Sequence, residues 1–473
     1  MLDAKYAPAE LQQELQLLKR IMEANHPSLY WYTPKDSIDY YFSSAINSIH
    51  DSLTTFQFKN KIAWVISKIR CGHTSVRFPD EYIEAAAERK LQQFPLSIKT
   101  WKDSLVALGS LFRTDSIFKR GTIITSINGH SGKQILDSMF QFVSTDGYSD
   151  NFKSQLISTN FPAYYKNAWG LSQQYTIRYI DTAGAEQETT LRNYDPKSDT
   201  QVIKRSNNIT IIRDQPSPPT RKEKRTAYLN SKRSLSIDTT NSTAYMRVAT
   251  FSEGHLRNFF RRSFKQIGKQ HIKHLIVDLR ENSGGSINVS TKFARYIADH
   301  SFKVADTVAA ISRRFRYGRY IHPSWVYWVS MHFTSSHHRS DDKIHLNYFE
   351  NHRFDPLTKD HFDGNVYVLQ GGFTFSAAAM FVSHIKGQKN VTIVGEETGG
   401  AYYGNTSVHL PSIKLPLTKV NVVLPMYRVV LDHTRVKDGQ GIKPDIEIEP
   451  TSEAIRKGFD LKLRAIREKI QRD

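Results

Sequence analysis

The chain has 473 residues with a formal charge of +19, of which 39% are hydrophobic, 12% aromatic and 23% charged. These proportions exclude disorder as the default and allow a sizeable core, and the length predicts about three domains. Lys and Arg are scattered without a zinc-finger or RNA-binding signature, so the basic balance points to no specific nucleic-acid partner.

The single cysteine, Cys71, excludes an internal disulfide and any zinc site built on two thiolates. It reads as a small hydrophobe. No apolar run is long enough to span a bilayer, and Met1-Leu2-Asp3 does not read as a secretory leader.

Leu11, Leu15, Leu18 and Met22 fall on one helical face, and Pro27 closes that helix. Thr33-Pro34 predicts a cap followed by a first-turn proline, with Ile38, Phe42, Ile46 and Ile49 as the next stripe. Phe58, Ile62, Val65, Ile66 and Ile69 predict a third helix, followed by Cys71-Gly72-His73-Thr74. Gly121 to Ile127 reads as a strand closed by an Asn128-Gly129 turn, with an amphipathic stretch at Ile135, Met139 and Phe142. Tyr175, Ile177 and Tyr179 alternate as in another strand. Pro216, Pro218, Pro219 and the charged run Arg221 to Arg225 predict a solvated linker over about 206–242. From Thr243 onward, strand and helix patterns alternate, which is α/β order.

Two strand-to-helix junctions carry the chemistry. His274 to Arg280 runs into Glu281-Asn-Ser-Gly-Gly285, where glycines let backbone N–H groups approach a ligand. Asn365 to Gln370 breaks at Gly371-Gly372 and continues as Phe373-Thr-Phe-Ser376-Ala377. A serine there reads either as an ordinary helix cap or as a nucleophile at a helix start.

The Asp278-to-Gly285 block, Thr374-Phe-Ser-Ala377, Gly395-Glu-Glu-Thr-Gly-Gly400 and Gly441-Ile-Lys-Pro-Asp445 resemble, in order and spacing, the peptidases of family S41, the tail-specific protease superfamily. The resemblance implies an α/β fold: a crotonase-like spiral β-α protease core at 243–473, an N-terminal helical domain at 1–80 and a PDZ-like β-rich domain at 81–205. It implies a serine-type endopeptidase that acts on peptides or unfolded proteins, needs no metal or organic cofactor, and works in the bacterial periplasm, outer envelope or outside the cell. Ser376 falls on the family's nucleophile. Tail-specific members use a downstream lysine as base, but the matching stretch here reads Thr398-Gly-Gly-Ala401 and lacks it. Tricorn-like members use a histidine and a carboxylate. His73 resembles that histidine, and Asp438, with Asp432 as fallback, the carboxylate. Backbone N–H groups of Gly284 or Gly285 and of Ala377 are then expected to hold the oxyanion. The other reading is a catalytically inactive S41-like protein that binds peptides or small apolar ligands in the same cleft.

Other histidines read as ordinary. His384 lies too far along the helix from Ser376 to reach it and is expected at the surface. His332, His337 and His338 with Asp341 and Asp342 match no zinc spacing and read as a polar inserted loop.

Overall fold

The computed structural model describes residues 2–199 and 219–472. A six-stranded sheet runs in the order Arg233–Asp238, Thr243–Val248, His274–Asp278, Asn365–Gln370, Val391–Gly395, Ile446–Glu447, parallel throughout except at the first pair. Its central strands, such as Asn365–Gln370, are buried almost end to end because helices cover both faces. Helices Leu256–Lys269, Ile287–Ala294 and Ala377–Ile385 lie on one side and Leu461–Ile470 on the other. The architecture is mixed α/β.

The three N-terminal helices are Pro8–Asn25, Lys35–Asn47 and Thr55–Ser67. Their stripes, Leu11 to Met22, Ile38 with Phe42, and Phe58 to Ile69, share one hydrophobic core with the parallel sheet. Pro34 stands at the cap of the second helix, one position from the expected place, because Thr33 spends its hydroxyl on the Lys68 carbonyl (2.5 Å). The third helix carries a full capping box between Thr54 and Gln57. A separate core, including Phe94, Phe161, Tyr165 and Tyr175, fills an antiparallel sheet whose main strands are Leu96–Trp101, Ser104–Ser110, Ile123–Ile127, Gln174–Ile180 and Glu186–Arg192. Asn128 and Gly129 both have positive φ, as the predicted tight turn requires.

Residues 206–218 of the expected linker lie outside the described residues. From 219 to 242 the chain is built: a capped helix Arg221–Lys232 and then the edge strand Arg233–Asp238. Its helix buries no side chain, so it shows no apolar stripe to read, and its strand is only half-buried. His384 also departs from expectation. Its ring stacks on Phe302 at 4.6 Å, so it is half-buried rather than at the surface.

Candidate active site

The family-like motifs converge at the carboxyl ends of the parallel strands. Thr374 anchors the turn after Asn365–Gln370: its hydroxyl donates to the Leu279 carbonyl (3.0 Å) and accepts from the Gly371 N–H (3.1 Å). Its own carbonyl accepts the Gly399 and Gly400 N–H groups. Gln370 donates to the Ile442 carbonyl (2.7 Å), and Thr398 accepts the Ile442 N–H (2.7 Å), which ties in the fourth motif.

Ser376 stands at the cap of helix Ala377–Ile385 with φ 52° and ψ −126°, a conformation that costs on the order of 1–3 kcal/mol in a non-glycine residue. It makes no side-chain cap bond. Its Oγ instead lies 3.0 Å from Nε2 of His73. The serine is therefore not spent as a cap, and the two residues 303 apart in sequence are in hydrogen-bond contact.

His73 reaches this place because Gly72 has no Cβ; one built there would lie 2.7 Å from the Phe375 ring. The His73 imidazole rests on that ring at 4.7 Å, and Phe375 in turn stacks on Phe152. Next to it, Thr74 bonds His26 (2.8 Å), whose other ring nitrogen accepts the Ser28 N–H (3.1 Å). Complete burial holds His26 neutral, its pKa pushed down to about 3.

Behind His73 the carboxylate is Asp146, with Oδ1 3.9 Å from Nδ1 and side chains only 6% and 3% exposed. Among the described residues no other carboxylate oxygen lies within 4.0 Å of either ring nitrogen. Asp146 Oδ1 also accepts the Gly72 N–H (2.8 Å). His73 Nδ1 and Asp146 Oδ2 are both buried without a hydrogen-bond partner among the described residues. Asp438 stands elsewhere: it is exposed, and its Oδ1 accepts the Gln440 N–H (2.9 Å). Asp432 binds Thr434 and Arg435. The Gly441 N–H just beyond goes to Glu397 (2.6 Å), whose pKa burial raises. Sequence reasoning missed Asp146, which lies in a loop of the region assigned to another domain and carries no motif.

Gly284, at φ 106°, faces the serine so closely that a Cβ would lie 2.7 Å from Ser376 Cβ and 3.1 Å from the Ala377 nitrogen. Its own N–H donates to Asn282 Oδ1 (2.9 Å), and Asn282, fully buried, is held by the Val248 carbonyl. Ala377 is the first residue of its helix, where the N–H has no intrahelical partner. Ala401, at the position of the missing lysine, is buried and bridges to Gly441. Cys71 is buried, which pushes its thiol up to about 11. The aromatic side chains of Trp31, Tyr32, Tyr148 and Tyr403 pack against one another close by. Burial, and then the charge of Asp146, raise the Tyr32 pKa.

Among the described residues no helix is long and apolar enough to cross a membrane. Residues 242–448 match the sequence profile of peptidase family S41. The whole chain also superposes on solved structures. Mature CPAF complexed with lactacystin aligns over 98% of this chain and 99% of its own, at 13% identity and a TM-score of 0.67. Mature CPAF alone gives 98% and 98%, again at 13% identity and 0.67. A peptidase structure from Parabacteroides merdae ATCC 43184 covers 98% and 97% at 14% identity and a TM-score of 0.49. No curated protein matches in sequence. At such identities the CPAF superpositions speak for the fold alone, and it is residues 242–448 that match peptidase family S41.

Proposed function

We propose that the protein is a serine endopeptidase with Ser376 as nucleophile and His73 as general base. The observation that carries the reading is the 3.0 Å contact between His73 Nε2 and Ser376 Oγ. A neutral imidazole at that distance takes the hydroxyl proton as Oγ attacks a peptide carbonyl. The negative oxygen that forms is held by the N–H groups of Ala377 and Gly285, since the Gly284 N–H is engaged by Asn282. Collapse of the tetrahedral species breaks the C–N bond, and His73 gives its proton to the departing amine. Water, deprotonated by the same imidazole, then releases the acyl group from Ser376.

In this mechanism Asp146 orients the His73 ring and stabilises its charged form. The 3.9 Å gap is long for a hydrogen bond, but such contacts tighten when substrate closes the site. Asp438 is then not the third member in the free enzyme. The antiparallel unit around Phe94 and Tyr175 would serve as the PDZ-like module that delivers an extended chain by strand addition, beside a spiral β-α core. The family analogy adds an envelope or extracellular site of action.

An active-site-directed fluorophosphonate tests the assignment, because Ser376 Oγ must displace fluoride and form a P–O bond. Labelling of the native chain that disappears in both Ser376→Ala and His73→Ala is expected. A native chain that takes no label would favour the inactive, ligand-binding reading.

A further inference from the structure

Where the histidines read from sequence as a polar loop, the chain instead builds a helix, Ser324–Thr334, and then a hairpin of strands Ser336–His338 and Lys343–His345. Only Met331 of that helix is buried. At about 100° per residue, Trp325, Val329 and Phe333 stand in one row, with Val326 on one side of it and Trp328 on the other. All five are exposed, Trp325 at 71% and Phe333 at 83%. An amphipathic helix ordinarily turns such a stripe toward the core; here the stripe faces out. Single exposed apolar residues are common on any surface, but a contiguous row of them marks a site of interaction.

The fold holds this face outward. Ser330 Oγ lies 3.2 Å from His409 Nε2, and the Tyr327 ring packs on the same imidazole at 5.1 Å. Before the helix, strand Ile321–His322 pairs with Ser412–Lys414, and after it the Ser335 carbonyl accepts a hydrogen bond from the Arg313 guanidinium. Both ends are thus fixed to the body, and Leu410, next to His409, adds to the exposed apolar surface.

Charge identifies the partner. From Thr307 to Ser340 the sequence has five arginines and no Asp or Glu. Arg314, Arg316, Arg319 and Arg339 are exposed, and among the described residues none of them forms an ion pair. Indole and phenyl rings bordered by unpaired guanidinium groups suit the boundary between lipid headgroups and acyl chains, where the rings leave water and the cations meet phosphate. A second copy fits less well, because a twofold contact would set each patch against its own like and oppose arginine to arginine. A single-stranded nucleic acid would use the rings and the arginines but not Val326 and Val329.

We propose that helix Ser324–Thr334 lies in the surface of an anionic lipid bilayer and holds the chain there, with Trp325, Val329 and Phe333 inserted and Arg314, Arg316 and Arg319 on the headgroups. None of these residues belongs to the proposed hydrolytic set, so the attachment is separable from the chemistry at Ser376.

The test sediments the full chain with vesicles of phosphatidylcholine and phosphatidylglycerol in equal parts, and with vesicles of phosphatidylcholine alone. Binding to the mixed vesicles that weakens with salt, a blue shift of tryptophan emission and much weaker binding to phosphatidylcholine are expected. Trp325→Ser with Phe333→Ser, both at exposed positions, should lower the partition about 100-fold or more while Tm and fluorophosphonate labelling stay unchanged. Arg314→Gln, Arg316→Gln and Arg319→Gln together should lower it about 100-fold, at roughly fivefold for each arginine. A native chain that does not bind the mixed vesicles, or binding that survives Trp325→Ser with Phe333→Ser, overturns the proposal. A native dimer that the same two substitutions dissociate would give the face to a second copy, and single-stranded DNA retained more tightly than lipid and indifferently to Val329→Ser would give it to nucleic acid; either result overturns the membrane assignment.

Discussion

A charged cavity and the cleft at Ser376 lie on neighbouring loops of the same sheet edge, yet they are built on opposite terms. The cavity, about 660 Å³, is lined by Lys99, Tyr245, Asp278, Arg280, Glu396 and Lys462 among others, and neither Ser376 nor His73 reaches it. Its strongest charges are matched: Arg280 pairs with Asp278 and Asp460, Lys462 with Glu396 and Arg247 with Glu281. Burial alone would raise the Asp278 pKa, but the Arg280 guanidinium and the Tyr245 hydroxyl outweigh it and hold the carboxyl below its ordinary 3.8. The cleft at Ser376 keeps a serine in a strained conformation and, among the described residues, a buried imidazole nitrogen without a hydrogen-bond partner and a buried carboxylate oxygen likewise. Volume and charge therefore do not mark the proposed reactive centre; unspent bonding capacity does.

The sharpest way to break this contrast is to remove the two residues in contact. Ser376→Ala and His73→Ala should each lower kcat/KM on an unfolded-protein substrate by about 10⁴-fold or more, and the double variant should be little worse than either, because members of one catalytic unit are strongly non-additive. Tm should change little. Substantial residual activity in Ser376→Ala would end the nucleophile assignment.

Asp146→Asn comes next, with an expected loss of about 10²–10⁴-fold in kcat and a small change in KM, since an amide no longer stabilises the charged ring and can select the wrong tautomer. A variant within a few-fold of the native rate would mean that the buried pair of Asp146 and His73 is only structural.

Arg280→Ala addresses the cavity. It should leave fluorophosphonate labelling of Ser376 intact while destabilising the fold by about 3 kcal/mol, at the low end for a broken buried pair because Arg280 is a quarter exposed. The same group sets a pH signature. Asp278 and Asp460 have folded-state pKa values below 3.8, so their stabilisation is complete above that value and is lost as the pH falls below it. His26 adds a loss that begins earlier. Its folded-state pKa is depressed from 6.5 to about 3, so the unfolded chain takes up the proton first and stability declines as the pH falls through this range. Urea unfolding of the native chain from pH 7.5 to 4.5 should show that decline, and a flat profile would contradict the buried, neutral His26.

What could be read from sequence follows how local each signal is. The stripes at Leu11 to Met22 and Phe58 to Ile69 were legible because a helix facing a core repeats its apolar residues within a few positions. Ser376 was legible through the strand, glycine pair and small-residue helix that present it, and His73 through its Gly-His-Thr setting, although neither stretch alone indicates the other. Asp146 was not legible. It is brought to His73 by packing: the Gly72 N–H on its carboxylate, the Gly147 N–H on the Arg70 carbonyl and the Tyr148 N–H on the Gly439 carbonyl. The strand Arg233–Asp238 was hidden for a related reason, since an edge strand beside prolines and charges shows no buried run.

The smallest effect is expected for Asp438→Asn, and its smallness matters because this residue is the third member that the sequence motifs lead one to expect. Asp438 is exposed, and the hydrogen bond its carboxylate accepts from the Gln440 N–H, its one such bond among the described residues, is a turn contact that an asparagine carbonyl accepts equally well. The rate should therefore stay within about twofold and the stability within about 0.5 kcal/mol of the native chain, as for surface changes generally. The loop is nevertheless anchored beside the site: Gly439 packs so closely on Gly147 that a Cβ on the latter would lie 2.4 Å from the Gly439 carbonyl oxygen. A substrate that shifts this loop would carry Asp438 and Asp146 together. If Asp438→Asn matched the loss of Asp146→Asn, and the double variant were no worse than either, the two carboxylates would act on His73 in turn. If the loss were confined to KM, Asp438 would be a substrate contact, and Asp146 would stand as the orienting group.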